Sequence, residues 1–319
     1  MTAVPPTRGK IPAPALFSPE ETRGLLSAFG AFVIWGWSPM YFKWLSHVSP
    51  LEIISHRIIW STFFVLALVV ATRKFGLLLE IYRNRRILAV FLATTLLIGC
   101  NWLTFIWAIS NDRILEGSLG YYINPLVNIL LGMIFLGERL NRWQTVSILL
   151  AIAGVAIMTL QLGYLPWVSL VLAFSFGFYA LLRKKVAVDS SVGLVVETTL
   201  LFPVALAFLL YLTFTAEAGT AAPVSTGFYY DFLSFLLLIG TGIVTATPLI
   251  LFAIAARYLT FTTIGVMQYI SPTLHALMAV YIYNEPFDQP RLIAFGLIWL
   301  GLIIFSIDGY RGRRRPAAL

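Results

Sequence analysis

From residue 143 to residue 182 the chain runs for 40 positions without a charged side chain. As a single α-helix that stretch would be about 60 Å long, roughly twice the hydrocarbon thickness of a bilayer. It reads as two membrane crossings, folded back where Gln161, Gly163 and Pro166 supply turn chemistry. Eight further uncharged runs, at 24–42, 58–72, 87–111, 117–137, 198–216, 232–256, 258–284 and 292–307, bring the expected number of spans to ten. The second run reaches spanning length only if it extends back to Leu51, which carries His56 and Arg57 into the membrane.

Composition excludes a soluble fold. Of 319 residues, 59% are hydrophobic and 11% charged, whereas soluble domains average about 45–50% and 25%. The net charge of +8 invites a nucleic-acid reading, but its distribution argues against one. With a cytoplasmic N-terminus, 18 of the 22 Lys and Arg fall in cytoplasmic segments. Only Lys43, Arg113 and Arg291 fall outside, and Arg57 lies within a span. This is the positive-inside pattern, with both termini cytoplasmic and the basic charge facing anionic lipid. A bacterial inner (plasma) membrane is the expected location. Residues 1–22 hold five prolines and no signal-length apolar run, so a disordered cytoplasmic tail is expected there. A basic tail is expected at 311–319. The single cysteine, Cys100, excludes an intrachain disulfide and a Cys-based metal site. With no Walker-type phosphate loop and no His-Glu-x-x-His, neither cofactor nor metal is expected.

A shift of 147 residues aligns two stretches of the chain, the expected spans 3–5 and 8–10, without a gap. Phe105 meets Phe252, Ala108 meets Ala255, and Tyr122-Ile123-Asn124-Pro125 meets Tyr269-Ile270-Ser271-Pro272. Glu138 meets Glu285 and Gly154 meets Gly301. A weaker match at 142 sets Ala31 on Ala173 and Lys43 on Lys185. Two five-span repeats follow, at 23–161 and 162–310. Five is odd, so the second repeat enters the membrane from the opposite side, the arrangement of many secondary transporters. The expected fold is all-α, with ten transmembrane helices in two inverted repeats. A membrane-embedded enzyme or a scaffold is the alternative, but neither needs matched inverted halves.

Several segments carry a family resemblance: FVIWG at 32–36, EIISHRIIW at 52–60, GCNWLTFIWA at 99–108, LGYYINPLVNILLGMIFLGER at 119–139, AFSFGFYALLRKK at 173–185 and QYISPT at 268–273. With the paired Pro…Glu signature, these resemble the EamA-type drug/metabolite transporter superfamily, and within it the RarD-type permeases. The resemblance implies a ten-helix fold around a central cavity and movement of small organic molecules, often outward. It associates RarD-type proteins with chloramphenicol resistance by name and leaves the cargo open.

Polar groups inside a span are costly and point to a cavity or a partner. Arg57 and His56, with Glu52 one turn before His56, suggest an anion or carboxylate site near the outer end of the second span. Glu197, two turns into the seventh, is a candidate for proton exchange, as is His56. The alternative for Glu197 is an ion pair with Lys184 or Lys185. Asn101, Trp102, Tyr122, Asn124, Asn128, Gln268, Tyr269 and His275 are candidate cavity residues or interhelical hydrogen-bonding groups, and Trp35 and Tyr179 candidate aromatic walls. Pro125, Pro248 and Pro272 are expected to act as hinges. Glu138 and Glu285 are expected to close helix ends, pairing with Arg139, Arg142 or Arg291. The expected partners are a small-molecule substrate and the lipid bilayer, with a monomer or a homodimer both open.

Overall fold

The computed structural model describes residues 18–111, 114–186, 188–217, 228, 230–282 and 289–314, and the regular elements within them are all α-helices. These are α1 (Pro19–Lys43), α2 (Pro50–Ala71), α3 (Phe75–Arg83), α4 (Arg85–Ser110), α5 (Ile114–Leu136), α6 (Arg142–Leu162), α7 (Trp167–Lys185), α8 (Ser190–Glu217), α9 (Phe232–Tyr258), α10 (Phe261–Gln268), α11 (Ile270–Tyr281) and α12 (Gln289–Arg314). Among the described residues nine helices are long and apolar enough to cross a membrane, all but α3, α10 and α11. In lipid the backbone must satisfy its own hydrogen bonds, which makes helices the natural answer to runs this apolar.

The expected hairpin is present. α6 ends at Leu162, Gly163 takes a positive φ of 71° that disfavours any residue with a Cβ, and α7 starts at Trp167. Three features differ from expectation. First, α1 begins at Pro19, so residues 19–22 are helical rather than tail. Ser18 and Glu21 cap it reciprocally, each side chain accepting the other's backbone N–H at 3.1 Å. At the other end α12 continues to Arg314.

Second, the single span expected at 258–284 is divided into α10 and α11. Pro272 has no N–H for the carbonyl of Gln268 four residues back, and its ring crowds that carbonyl. Tyr269 joins the pieces in right-handed conformation, at φ −64° and ψ −11°, so the chain bends without reversing. Pro39, Pro125, Pro203 and Pro248 lie inside helices that continue past them.

Third, the basic segment after α2 contains α3, too short and too flanked by charge to read as a span. Leu78 and Ile81 are buried, while Phe75, Leu79 and Tyr82 form an exposed apolar stripe beside them. The Lys74 ammonium ties this helix to the loop before α8 through Asp189, at 2.6 Å. Partial burial opposes ionisation of Asp189, but hydrogen bonds from Lys74 and Ser191 outweigh it and hold the carboxyl at about 2.

Contacts between helix ends define one common face. Arg23 at the start of α1 lies over Tyr258 at the end of α9. Lys184 at the end of α7 donates to the carbonyls of Ala256 and Leu259, at 2.7 and 2.5 Å. Asn141 before α6 donates to Asp308 late in α12, at 2.6 Å. The main helix pairings are α6 with α12, α5 with α7, α1 with α9, α2 with both α8 and α9, α4 with α7 and α8, α1 with α11, and α5 with α10.

α6 and α12 meet backbone to backbone. A Cβ on Gly154 would stand 2.7 Å from the carbonyl oxygen of Ala294, and one on Gly301 2.6 Å from that of Ser147. Gly154→Ala and Gly301→Ala should therefore each lower the melting midpoint of the detergent-purified protein, at a cost of about 1–3 kcal/mol for overpacking. Gly296→Ala, in the same α12 but with nothing within 4 Å, should leave it unchanged or raise it, because Ala favours helix over Gly by about 1 kcal/mol. A loss at Gly296 equal to that at the other two would contradict this account.

Candidate substrate site

Arg57 leaves α2 two turns from its start. Its Nε donates to Thr245 Oγ1, midway along α9, at 2.9 Å. Its guanidinium carbon lies 5.0 Å from the ring centre of Phe42 on α1 and 5.2 Å from that of Trp102 on α4. Tyr121 on α5 is its electrostatic neighbour. Four helices, α1, α2, α4 and α9, thus converge on one cation. Among the described residues no carboxylate lies within ion-pair distance of Arg57. A charge at mid-span costs about 2.5–3.5 kcal/mol on insertion scales, and each aromatic face returns about 0.5–2 kcal/mol.

Tyr121 links this cation to the remaining aromatic wall. Its ring packs edge-on against His275 at 5.9 Å, and His275 Nε2 reaches the carbonyl of Trp35 at 3.2 Å. The Trp35 ring is packed by Phe32, Phe176 and Phe252 at 5.9, 5.8 and 5.7 Å. Tyr121 is 39% exposed. Of the residues singled out from sequence, Trp35, Arg57, Trp102 and His275 are drawn together here.

The other candidates lie elsewhere. Asn101 donates to the carbonyl of Leu172 and to Ser175 Oγ, at 2.9 and 3.0 Å, joining α4 to α7. Asn128 donates to Gln268 at 2.7 Å, joining α5 to α10. Asn124 is buried beside them on α5. Tyr269 donates to the carbonyl of Tyr122, and Tyr122 to that of Pro272, both at 3.2 Å. Both tyrosines pack in the cluster that includes Phe295 and Ile298 of α12. His56, about 100° round the helix from Arg57, faces Phe228 and Tyr230 and accepts the Trp60 indole N–H at 3.2 Å.

Glu197 and Tyr179 form a second buried cluster. Thr94 donates to Glu197 at 2.7 Å and the Tyr179 hydroxyl at 3.3 Å. The ion pair with Lys184 or Lys185 is not made. Lys184 is held by the α9 carbonyls, and Lys185 lies 5.4 Å from the Phe135 ring centre. α7 runs on to Lys185, so its three terminal basic residues point in three directions. Arg183, which in sequence looks like a loop charge, is the one that turns inward. It is buried, with Nε 3.8 Å from the Glu197 carboxylate and Nη2 donating to the Ser190 carbonyl.

Glu138 also departs from expectation. Instead of pairing with Arg139, Arg142 or Arg291, it caps α10, accepting from the N–H groups of Phe261 and Thr262 at 2.6 and 2.8 Å and from the Thr262 hydroxyl at 2.6 Å. Free N–H groups and the positive end of the helix dipole draw a carboxylate there. Glu285 lies outside the described residues.

Sequence reasoning missed Phe42, Thr245 and Tyr121. The first two carry no unusual signal. Tyr121 stands 147 residues before Gln268, so the internal repeat pairs it with a residue already singled out.

The model of the EamA-like transporter family matches residues 22–160. A Pseudomonas aeruginosa protein described as an uncharacterized transporter is 44% identical, over 92% of this chain and 96% of its own. Protein RarD of Escherichia coli is also 44% identical, over 93% of this chain and 99% of its own. A solved crystal structure superposes at a TM-score of 0.67, covering 89% of this chain and 97% of the other; at 17% identity it speaks to the fold alone. The chain therefore belongs to the drug/metabolite transporter superfamily, as an EamA-family member of the RarD type.

Proposed function

We propose that this chain is a secondary transporter. It carries a small organic molecule, in the export direction, between two inverted five-helix halves that alternate access to one site at Arg57. α10 and α11 count together as one crossing, which with the nine long helices makes ten.

The observation that carries this reading is the reciprocity of the α6–α12 contact. Gly154 abuts Ala294 while Gly301 abuts Ser147. Gly301 and Ala294 are the residues 147 positions after Gly154 and Ser147. One contact is thus made twice with its partners exchanged, as a two-fold axis requires. Going from Ser147 to Gly154 on α6, the neighbour on α12 runs backwards, from Gly301 to Ala294. The helices are antiparallel, which supports an axis across them, in the plane of the membrane. Such an axis relates halves of opposite orientation.

Other contacts agree. Tyr121 packs on His275 while Asn128 bonds Gln268, and Gln268 and His275 follow Tyr121 and Asn128 by 147 residues. A Cβ on Gly36 would meet Leu274, and one on Gly177 would meet Val127; Leu274 again follows Val127 by 147. That pair favours an offset of 141 between α1 and α7, one less than the match of Ala31 to Ala173. α1–α9 mirrors α7–α4, and α2–α9 mirrors α8–α4.

Glu197 is the group proposed to exchange a proton during the cycle, with Arg183 as the internal cation that takes its charge when the proton leaves. Removing Glu197 alone would strand Arg183 in the interior at a cost of about 3–5 kcal/mol, so the informative variant is Glu197→Gln with Arg183→Gln.

Two outcomes are expected. Everted membrane vesicles containing the protein, bathed in a metabolite extract under an inside-acid pH gradient, should accumulate at least one small molecule that empty vesicles do not, read by mass spectrometry. The double variant should reduce that accumulation at least about tenfold, a barrier change near 1.4 kcal/mol, while exchange at equal pH persists. No difference from empty vesicles would defeat the transporter reading, and full gradient-driven accumulation in the double variant would remove Glu197. Separately, single cysteines placed at either end of a Cys100→Ser chain should react with an impermeant maleimide from the cytoplasmic side only. Ends labelled from opposite sides would contradict an even number of crossings.

A further inference from the structure

We infer that the Arg57 site is built for a singly charged organic carboxylate with a flat apolar body. This names the substrate class of the site proposed above and rests on that reading.

Arg57 is distinguished by what surrounds it. Glu197 is met by Arg183, Glu138 by the start of α10, and Asp189 by Lys74. Arg57 has a hydroxyl and two ring faces. The hydroxyl takes Nε, and the two Nη groups make no hydrogen bond among the described residues. Arg57 as a whole is half-buried rather than sealed. A guanidinium held at Nε presents its Nη pair as a fork, which matches the two oxygens of a carboxylate.

Three further features narrow the class. One guanidinium supplies one positive charge, which balances a monoanion rather than a phosphate dianion. The rings beside the guanidinium are the flat faces of Phe42 and Trp102, which favour a planar apolar body against them. On the 141-residue offset Thr198 stands where Arg57 does, and Thr198 is buried and bonded to the Val195 carbonyl. The second half thus offers no matching cation, and the substrate's charged end has a single seat.

Benzoate, benzamide and benzylamine share a flat body and differ in charge, while cyclohexanecarboxylate keeps the charge and loses the flatness, so the four separate the charge requirement from shape. With the purified full-length protein in detergent, benzoate and cyclohexanecarboxylate should raise the melting midpoint in a saturable way, benzoate at lower concentration. Benzamide and benzylamine should not. Arg57→Gln should weaken benzoate binding at least about tenfold, the loss of one charge-assisted hydrogen-bonded pair. Arg57→Lys, with charge but no fork, should fall between. Without ligand, Arg57→Gln should melt no lower than the wild type, because it removes a charge with no carboxylate partner. A structural arginine would instead lower the midpoint.

Benzamide binding as tightly as benzoate, benzoate binding kept by Arg57→Gln, or silence of both carboxylates overturns the inference. None of these results depends on flux. Carboxylate binding without vesicle accumulation would defeat the transporter reading alone, and accumulation of neutral compounds indifferent to Arg57 would defeat this one alone.

Discussion

A low-dielectric surrounding forces each charged group among these helices to be met by the protein itself, and the structure is organised around how that is done. Glu138 is met by two backbone amides and a hydroxyl at the start of α10. Lys184 is met by carbonyls at the end of α9. Both use groups that every helix leaves unpaired at its ends, so these charges fasten α5, α7, α9 and α10 where the helices stop. Glu197 and Arg183 meet each other, with Thr94 and Tyr179 filling in. Arg57 differs in being met only by weak partners, and a group solvated in this way is available to something that arrives from outside.

Much of the frame is legible in the sequence because it follows from length and charge. Forty uncharged residues cannot be one crossing, and the αL glycine marks where the two divide. The features that escape depend on direction around a helix. Arg183, Lys184 and Lys185 are adjacent in the chain, and only the pitch of α7 sends the first inward and the others to α9 and α5. α3 escapes because its nine residues, which include Glu80 and Arg83, are too few for a span, although Leu78 and Ile81 are spaced for a buried helical face. The break at Tyr269 is a matter of degree, since Pro125 sits in α5 without dividing it.

The candidate site was partly legible for a related reason. Arg57, His275, Trp35 and Trp102 are conspicuous as polar or bulky residues in apolar runs. Asn101, Asn128 and Gln268 are equally conspicuous, yet they spend their amides on neighbouring helices. A sequence reveals that a polar group must be satisfied and leaves open whether a helix or a ligand satisfies it. Thr245 and Phe42 are ordinary residue types that matter only because α9 and α1 carry them to Arg57.

Symmetry and its breaking divide the labour within the proposed transporter. The matched contacts involve small residues and backbone: Gly154 on Ala294, Gly301 on Ser147, Gly36 on Leu274 and Gly177 on Val127. Contacts of this kind depend on shape and hold in either of two mirrored arrangements, which keeps the two arrangements close in energy. The charged groups do not follow the symmetry. Arg57 of the first half bonds Thr245 of the second, while the second half turns Glu197 and Arg183 inward onto each other. In the proposed cycle a scaffold that is symmetric in shape supplies the two states, and chemistry that is asymmetric in charge lets them treat substrate and proton differently. In that cycle the gradient sets the direction of net flux, and the asymmetry of the charged groups decides which half meets the substrate and which meets the proton.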